Sequence, residues 1–346
     1  MNVDLLISKA FANALKPSKI IPYFLRARDN FSAQDITITT HITRNRLQVF
    51  TRLVEQYQGP ISVAMHVRND EEYVHDLIDA LRALYSSSEK ISRFVDVHLV
   101  IDSFDRQFNT WRNIARLFAR TDYVMMLDVD FYVCTDLQFT IRNNPDIIQK
   151  LREGTNAFVV PAFEYVSYVD GMNYASFPRD KQALLSLVKQ DRVRMFHAGW
   201  APGHNSTDYE KYYEAPAGTV YQVTQYQSAY EPYIIFKKEG PPWCDERFVG
   251  YGGNKAACLF EMYLSGMTFY VLADDFIIHQ NHLYEETVRK NERRVNRKVY
   301  QDFKEEACLR YLKSFNDQGI LGTERGSNLK EECKKVRGVP KTVFHS

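Results

Sequence analysis

The chain has 346 residues, 45% of them hydrophobic and 25% charged, with a formal net charge of +1. These values suit a globular protein with one large core or two smaller ones. The near-neutral balance leaves no electrostatic footprint for nucleic acid or for a polybasic membrane contact. No run of about 18 apolar residues occurs, so no transmembrane segment is expected. The cysteines, Cys134, Cys244, Cys258, Cys308 and Cys333, form no C-x-x-C pair. That argues against a zinc knuckle and leaves room for one or two bridges. Two N-x-S/T sequons, Asn30-Phe-Ser and Asn205-Ser-Thr, matter only on a secretory route. The 22 Tyr and 22 Phe suit sugar rings, but such residues more often fill a core.

Residues 1–34 read as a short helix and an irregular lead-in. Ile36 to Thr40 is rich in β-branched residues and reads as a strand. Thr43 can cap a helix with Leu47, Phe50, Leu53, Val54 and Tyr57 as its apolar stripe; Gln58-Gly-Pro60 ends it. A strand over 61–67, a helix over 71–84, a strand over 95–101 and a helix over 109–120 follow. This alternation with short joints predicts a parallel α/β sheet. Ligands of such sheets sit at the carboxyl ends of the strands.

The next strand, Tyr123 to Leu127, is an apolar run that ends at Asp128-Val-Asp130. A run apolar on both faces belongs inside a sheet. Carboxylates placed there need a counter-charge. The two-residue period of a strand predicts both acids on one side. A hard divalent cation carrying a phosphorylated ligand meets that need. D-x-D also arises by chance, so its place directly after the strand carries the weight. A haloacid-dehalogenase-type phosphatase shares this placement. Tyr132 stands where that class usually has Thr or Val, and the motif follows the fourth expected strand rather than one near the start.

Further on the regularity loosens. Helices are expected over 144–152 and 181–190, and a strand over 157–162. Residues 165–178 read as a Tyr-rich loop. Residues 197–227 are aromatic and Gly-rich with little period, and read as an acceptor-side surface or an insertion. After a strand at 233–236, Gly250-Tyr-Gly-Gly253 permits a tight backbone close to a ligand. It is not a Walker loop, because no G-K-[ST] follows. A helix over 254–265 and short strands at 269–272 and 276–278 precede His279 and a long charged helix from 285. The domain reading is a lead-in over 1–34, one catalytic domain over 35–315 and a polar, peripheral tail over 316–346.

Asp128, Asp130 and His279 form a mixed oxygen and nitrogen set suited to Mn²⁺, or Mg²⁺, on a diphosphate. His282 is a weaker candidate ligand. Asp245 and Glu246 are candidate general bases. Arg112 and Asn113 can reach a nucleotide from the helix before the D-x-D strand.

Several blocks then occur in order. They are Asp35-Ile-Thr-Ile-Thr-Thr-His41, Tyr57-Gln-Gly-Pro-Ile-Ser-Val-Ala64, Arg112-Asn-Ile-Ala115, Met126-Leu-Asp-Val-Asp-Phe131 and Val160-Pro-Ala-Phe-Glu164. Ser176-Phe-Pro178, Tyr230-Glu-Pro-Tyr233, Asp245-Glu-Arg-Phe-Val-Gly-Tyr-Gly-Gly-Asn-Lys255 and Ile278-His279 complete the series. From about Asp35 to about Arg310 the chain resembles glycosyltransferase family 49, the C-terminal domain of LARGE-type enzymes and the related β-1,4-glucuronyltransferase.

The resemblance implies an α/β fold of the GT-A glycosyltransferase type, with a mostly parallel, Rossmann-like sheet flanked by helices. It implies an inverting, Mn²⁺-dependent enzyme that moves a sugar, glucuronate first, from a UDP-sugar to a glycan or glycoprotein hydroxyl. Asp128 and Asp130 match the family's D-x-D, His279 its late histidine and Asp245 the acid of its D-[ER]-R-F segment. Thr39, Thr40 and His41 would line the uridine pocket with Arg112. Arg247 or Lys255 would face the donor's phosphates or carboxylate, unless they form surface or intra-loop ion pairs. The Golgi lumen follows by family, although no leader or anchor is visible in the sequence. Another UDP-sugar donor, or a non-catalytic sugar-binding relative, is the competing reading.

Overall fold

A computed structural model describes residues 18–69, 71–103, 106–282 and 286–344. The expected N-terminal helix lies partly outside the described residues. Its later part is instead a strand, β1 (Lys19–Leu25). Pro22 cannot donate to a ladder, which confines β1 to a sheet edge, and the register slips between Ile21 and Leu25. The lead-in is therefore part of the sheet.

The α/β alternation follows as expected. Strands β2 (Ile36–Ile42), β3 (Ile61–Arg68), β4 (Val95–Asp102) and β5 (Tyr123–Met126) are mutually parallel. They are joined by helices α1 (Leu47–Tyr57), α2 (Glu71–Ser87), α3 (Glu89–Phe94) and α4 (Phe108–Leu117). Helix α1 stops at Gln58, which adopts a left-handed conformation ahead of Gly59-Pro60. Then come β6 (Phe131–Val133), α5 (Leu137–Arg142), α6 (Pro145–Glu153), β7 (Asn156–Val160), β8 (Ala162–Tyr165), α7 (Lys181–Lys189) and β9 (Val193–Met195). Asn144 caps α6 by accepting from the Ile147 amide, with Pro145 in the first turn. The chain continues through α8 (Tyr209–Glu214), β10 (Val220–Gln222), β11 (Tyr233–Lys237), α9 (Asn254–Leu264), β12 (Thr268–Leu272), β13 (Ile277–His279), α10 (Glu286–Asp317) and α11 (Ser327–Cys333).

The main sheet has the order β1-β4-β3-β2-β5-β11-β7-β12-β10. It is mixed, with its parallel run in the first half. Strand β11 runs antiparallel to both neighbours, β5 and β7. A second sheet, β6-β13-β8-β9, stands beside it. The strand expected over 157–162 is β7 and ends at Val160; the chain breaks at Pro161, and Ala162 opens β8 in the other sheet.

Two further expectations change. Residues after 315 are not a peripheral tail: Leu329 and Cys333 are fully buried, and Cys333 is bonded to Cys308 of α10. A second disulfide joins Cys244 to Cys258, and Cys134 is buried and free. The aromatic stretch 197–227 is mostly at the surface but anchors itself through a few buried rings. Tyr209, Tyr212, Tyr221 and Tyr226 are buried, whereas Trp200 stays 63% exposed.

Candidate active site

Strand β5 ends at Met126, and a turn carries Asp128-Val-Asp130. The Leu127 amide donates to the Thr39 carbonyl at 3.1 Å, and the Phe131 amide donates to the Asp128 carbonyl at 3.2 Å. Strand alternation therefore does not apply, and the two acids part toward different partners. This corrects the expectation of two carboxylates on one side.

Asp128 faces cations and a phenol. It accepts from Arg112 Nη2 at 3.1 Å, Tyr233 OH at 2.9 Å and Lys255 Nζ at 3.2 Å. Burial opposes its ionisation, but Lys255 and Arg112 outweigh it and hold the carboxyl well below the usual range. Lys255 Nζ also lies 3.7 Å from the Tyr233 ring centroid. Helix α9 brings Lys255, α4 brings Arg112 and β11 brings Tyr233. Arg112 is fixed further by the side-chain oxygens of Asn109 at 2.9 Å and Asn254 at 2.7 Å.

Asp130 faces histidines. Antiparallel pairing of β13 with β6 sets His279 opposite Phe131. The Gln280 amide donates to the Asp130 carbonyl at 2.8 Å. The second sheet thus delivers His279 and His282 to the D-x-D turn from far along the chain. Ligand atoms of Asp130, His279 and His282 all lie within 4.8 Å of one another. Asp128 is not in this group. Burial pushes His279 down to about 4, with Asp130 opposing, so its ring is neutral near pH 7 and keeps a lone pair. Asp130 Oδ1 is buried without a hydrogen bond. Arg46 Nη1 lies 3.3 Å away, outside hydrogen-bond geometry. One carboxylate, two imidazoles and a buried carboxylate oxygen without a hydrogen bond fit a transition-type divalent ion such as Mn²⁺ better than Mg²⁺.

Thr39, Thr40 and His41 end β2 at the same carboxyl edge. Thr39 Oγ1 donates to the Met125 carbonyl at 3.1 Å. Thr40 Oγ1, His41 Nδ1 and Arg112 Nε are buried and make no hydrogen bond. Burial, aided by Arg112, lowers His41 to about 4. Buried polar atoms of this kind are rare and cluster where ligands bind.

The remaining expected residues are occupied elsewhere. Asn113 Nδ2 donates to the Cys244 carbonyl and to Glu246 Oε1, each at 2.8 Å. Its Oδ1 accepts from the Cys244 amide at 3.0 Å. Asn113 therefore clamps the 244–246 segment rather than facing a nucleotide. Asp245, 2% exposed, accepts a two-pronged contact from Arg247 at 2.9 and 2.8 Å. Arg247 also pairs with Glu306 at 3.1 Å. Both acids expected as bases are thus buried and hydrogen-bonded within the scaffold. The Gly-rich turn serves packing: with φ of +81° at Gly250, an added Cβ would lie 2.4 Å from Glu292, and at Gly252 it would lie 3.0 Å from the Arg293 Cα. The glycines admit the close approach of α10.

Tyr233 and Arg46 escaped the sequence reading. Tyr233 sits in an apolar strand run that gives it no distinguishing mark. Arg46 lies in a polar turn whose partner His282 is 236 residues away.

The Asp/His cluster and the cation-ringed carboxylate thus sit at the carboxyl edge of a mixed α/β sheet, where ligands of such folds bind. The family described as "Glycosyl-transferase for dystroglycan" matches residues 35–108 and 102–312. The Mus musculus xylosyl- and glucuronyltransferase LARGE2 is 33% identical over 254 residues, which is 72% of this chain and 34% of that protein. The Danio rerio LARGE1 is 32% identical over 292 residues, 83% of this chain and 35% of that protein. The Dictyostelium discoideum glycosyltransferase-like protein gnt14 is 28% identical over 250 residues, 71% of this chain and 37% of that protein. Among solved structures, S. aureus TarS 1-349 covers 90% of this chain at a TM-score of 0.47 and 10% identity, a likeness too loose to carry an inference. The chain belongs to glycosyltransferase family 49. It spans about a third of the length of the LARGE relatives it matches.

Proposed function

We propose that this chain transfers a sugar, glucuronate first, from a UDP-sugar to a glycan or glycoprotein hydroxyl, with inversion at the anomeric carbon. The observation that carries the proposal is the Asp130, His279 and His282 cluster at the carboxyl edge of the sheet. The printed names of the relatives, xylosyl- and glucuronyltransferases, support the donor class.

Asp130, His279 and His282 would hold Mn²⁺. When bound, the ion supplies Lewis-acid stabilisation of the charge that develops on the departing diphosphate. Thr40, His41 and Arg112 offer the buried polar atoms of a uridine pocket. Asp128 keeps Arg112 and Lys255 aligned at its mouth. The attacking hydroxyl needs a proton acceptor. Asp245 and Glu246 are turned into the scaffold, so that group lies elsewhere on the acceptor side. The two disulfides suit an oxidising compartment, which supports the Golgi lumen as the setting.

The test is a donor screen with Mn²⁺, reading UDP release against a panel of UDP-sugars, glucuronate included. Turnover of UDP-glucuronate above the other donors, abolished in Asp130→Asn, is the expected result. Turnover of a different donor corrects the sugar and keeps the class. No turnover, together with no UDP binding by calorimetry, removes the enzyme reading.

A further inference from the structure

Beside the cluster stands a residue that the proposed reaction has not used. Arg46 closes a single 3₁₀ turn, Arg44–Arg46, between β2 and α1. Its guanidinium reaches the far end of the chain. Nη2 lies 3.1 Å from His282 Nδ1. His282 Nε2 lies 3.2 Å from Asp130 Oδ2. Nη1 lies 3.3 Å from Asp130 Oδ1 and completes the ring. Guanidinium, imidazole and carboxylate form a closed triangle on two of the three candidate ligands.

A guanidinium only donates and does not give up its proton in proteins. Arg46 Nη2 lies 3.1 Å from Nδ1 and 3.4 Å from Nε2 of His282, so a fixed positive charge stands against the ring edge that a cation would use. A guanidinium and a divalent cation cannot share that space. Arg46 also lies beside the carboxylate oxygen a cation would take.

Resting on the metal reading above, we propose that Arg46 is a built-in competitor for the divalent-cation site. It holds Asp130 and His282 in place and must withdraw before a cation binds. The displaced guanidinium then needs an anionic partner, and the two-pronged geometry of a diphosphate provides one. Nucleotide therefore favours cation binding by removing the competitor, and linkage makes the effect reciprocal. Arg46 is a positioning residue. It makes the cation site selective for the nucleotide-loaded state.

The experiment titrates Mn²⁺ alone, by calorimetry and by the electron paramagnetic resonance of free Mn²⁺, into the full chain and its variants. Without nucleotide, Arg46→Ala is expected to bind Mn²⁺ about tenfold more tightly than the unmodified chain, the equivalent of about 1.4 kcal/mol. Arg46→Lys keeps the charge without the fork and is expected to fall between them. With saturating UDP, the gap between Arg46→Ala and the unmodified chain is expected to close. Loss of a merely structural contact would weaken binding, so a gain is diagnostic. Mn²⁺ affinity that is unchanged or lower in both Arg46 variants overturns the competitor role and leaves the metal reading standing. No Mn²⁺ binding to any form, with or without UDP, overturns the metal reading and this inference with it.

Discussion

At the scale of single residues, the D-x-D turn separates two jobs that a strand would have merged. Asp128 is balanced by Arg112 and Lys255 and bonded to Tyr233, whereas Asp130 faces His279 and His282. A carboxylate already neutralised by two cations has little to offer a third. Asp128→Asn is therefore expected to leave Mn²⁺ affinity within about threefold, roughly 0.7 kcal/mol, while weakening UDP binding through a misaligned Arg112 and Lys255. Paired calorimetric titrations of Mn²⁺ and UDP check this. A loss of Mn²⁺ affinity as large as that of Asp130→Asn would put Asp128 among the ligands. The two acids were legible in the sequence because charge after an apolar run is anomalous. Their divergence was not, because it depends on a turn closed by the Phe131 amide. The burial of Asp245 was not legible for a related reason. Asp245 and Arg247 are close in sequence, and only the fold shows them bound to each other in the interior.

At the scale of elements, the edge strand β1 shows how one buried group ties several pieces together. His98 of β4 is fully buried. Its Nδ1 accepts from the Tyr23 amide of β1 at 2.9 Å. Its Nε2 lies 3.1 Å from Ser62 Oγ of β3, which itself donates to the Ala115 carbonyl of α4 at 2.6 Å. Both ring nitrogens are satisfied only in the neutral form, and burial lowers His98 to about 3. An unfolded histidine titrates near 6.5, so between pH 6.5 and 3 the unfolded chain binds the extra proton. This contribution is complete above pH 6.5 and shrinks as the pH falls, by about 1.4 kcal/mol per unit within the window. Urea midpoints measured from pH 7.5 to 4 are expected to fall, with a shallower slope in His98→Gln. An equal slope in the variant would assign the acid sensitivity to other groups. The parallel strands β2 to β5 were legible because apolar runs alternate there with amphipathic helices. β1 was not, because Pro22 and the slipped register erase the period. The second sheet was legible only at the strand expected over 276–278, close to β13; three-residue strands such as β6 and β9 are too short to show any period.

At the scale of the whole molecule, the polar C-terminal segment turns out to be a brace. Phe303, Ala307, Cys308 and Leu312 of α10 are buried, and α11 packs its Leu329 and Cys333 into the same core. The Cys308–Cys333 bridge spans a separation of 25 residues, and closing a loop of that size stabilises by about 3.5 kcal/mol in the chain-entropy picture. Cys333→Ser is expected to lower the thermal midpoint by several degrees, and reductant is expected to lower the unmodified chain toward the same value. A midpoint insensitive to both would show that burial alone fixes α11. Polar composition concealed this brace, because a few apolar side chains and one cysteine pair do the packing. The pairing of β13 against the D-x-D turn has one more consequence, and it concerns time. Arg46 and His282 are 236 residues apart, and ribosomes add roughly 5–20 residues per second. Arg46 can thus emerge roughly 10–50 seconds before His282 is made. Until then Asp130 has neither imidazole of the candidate cation site beside it.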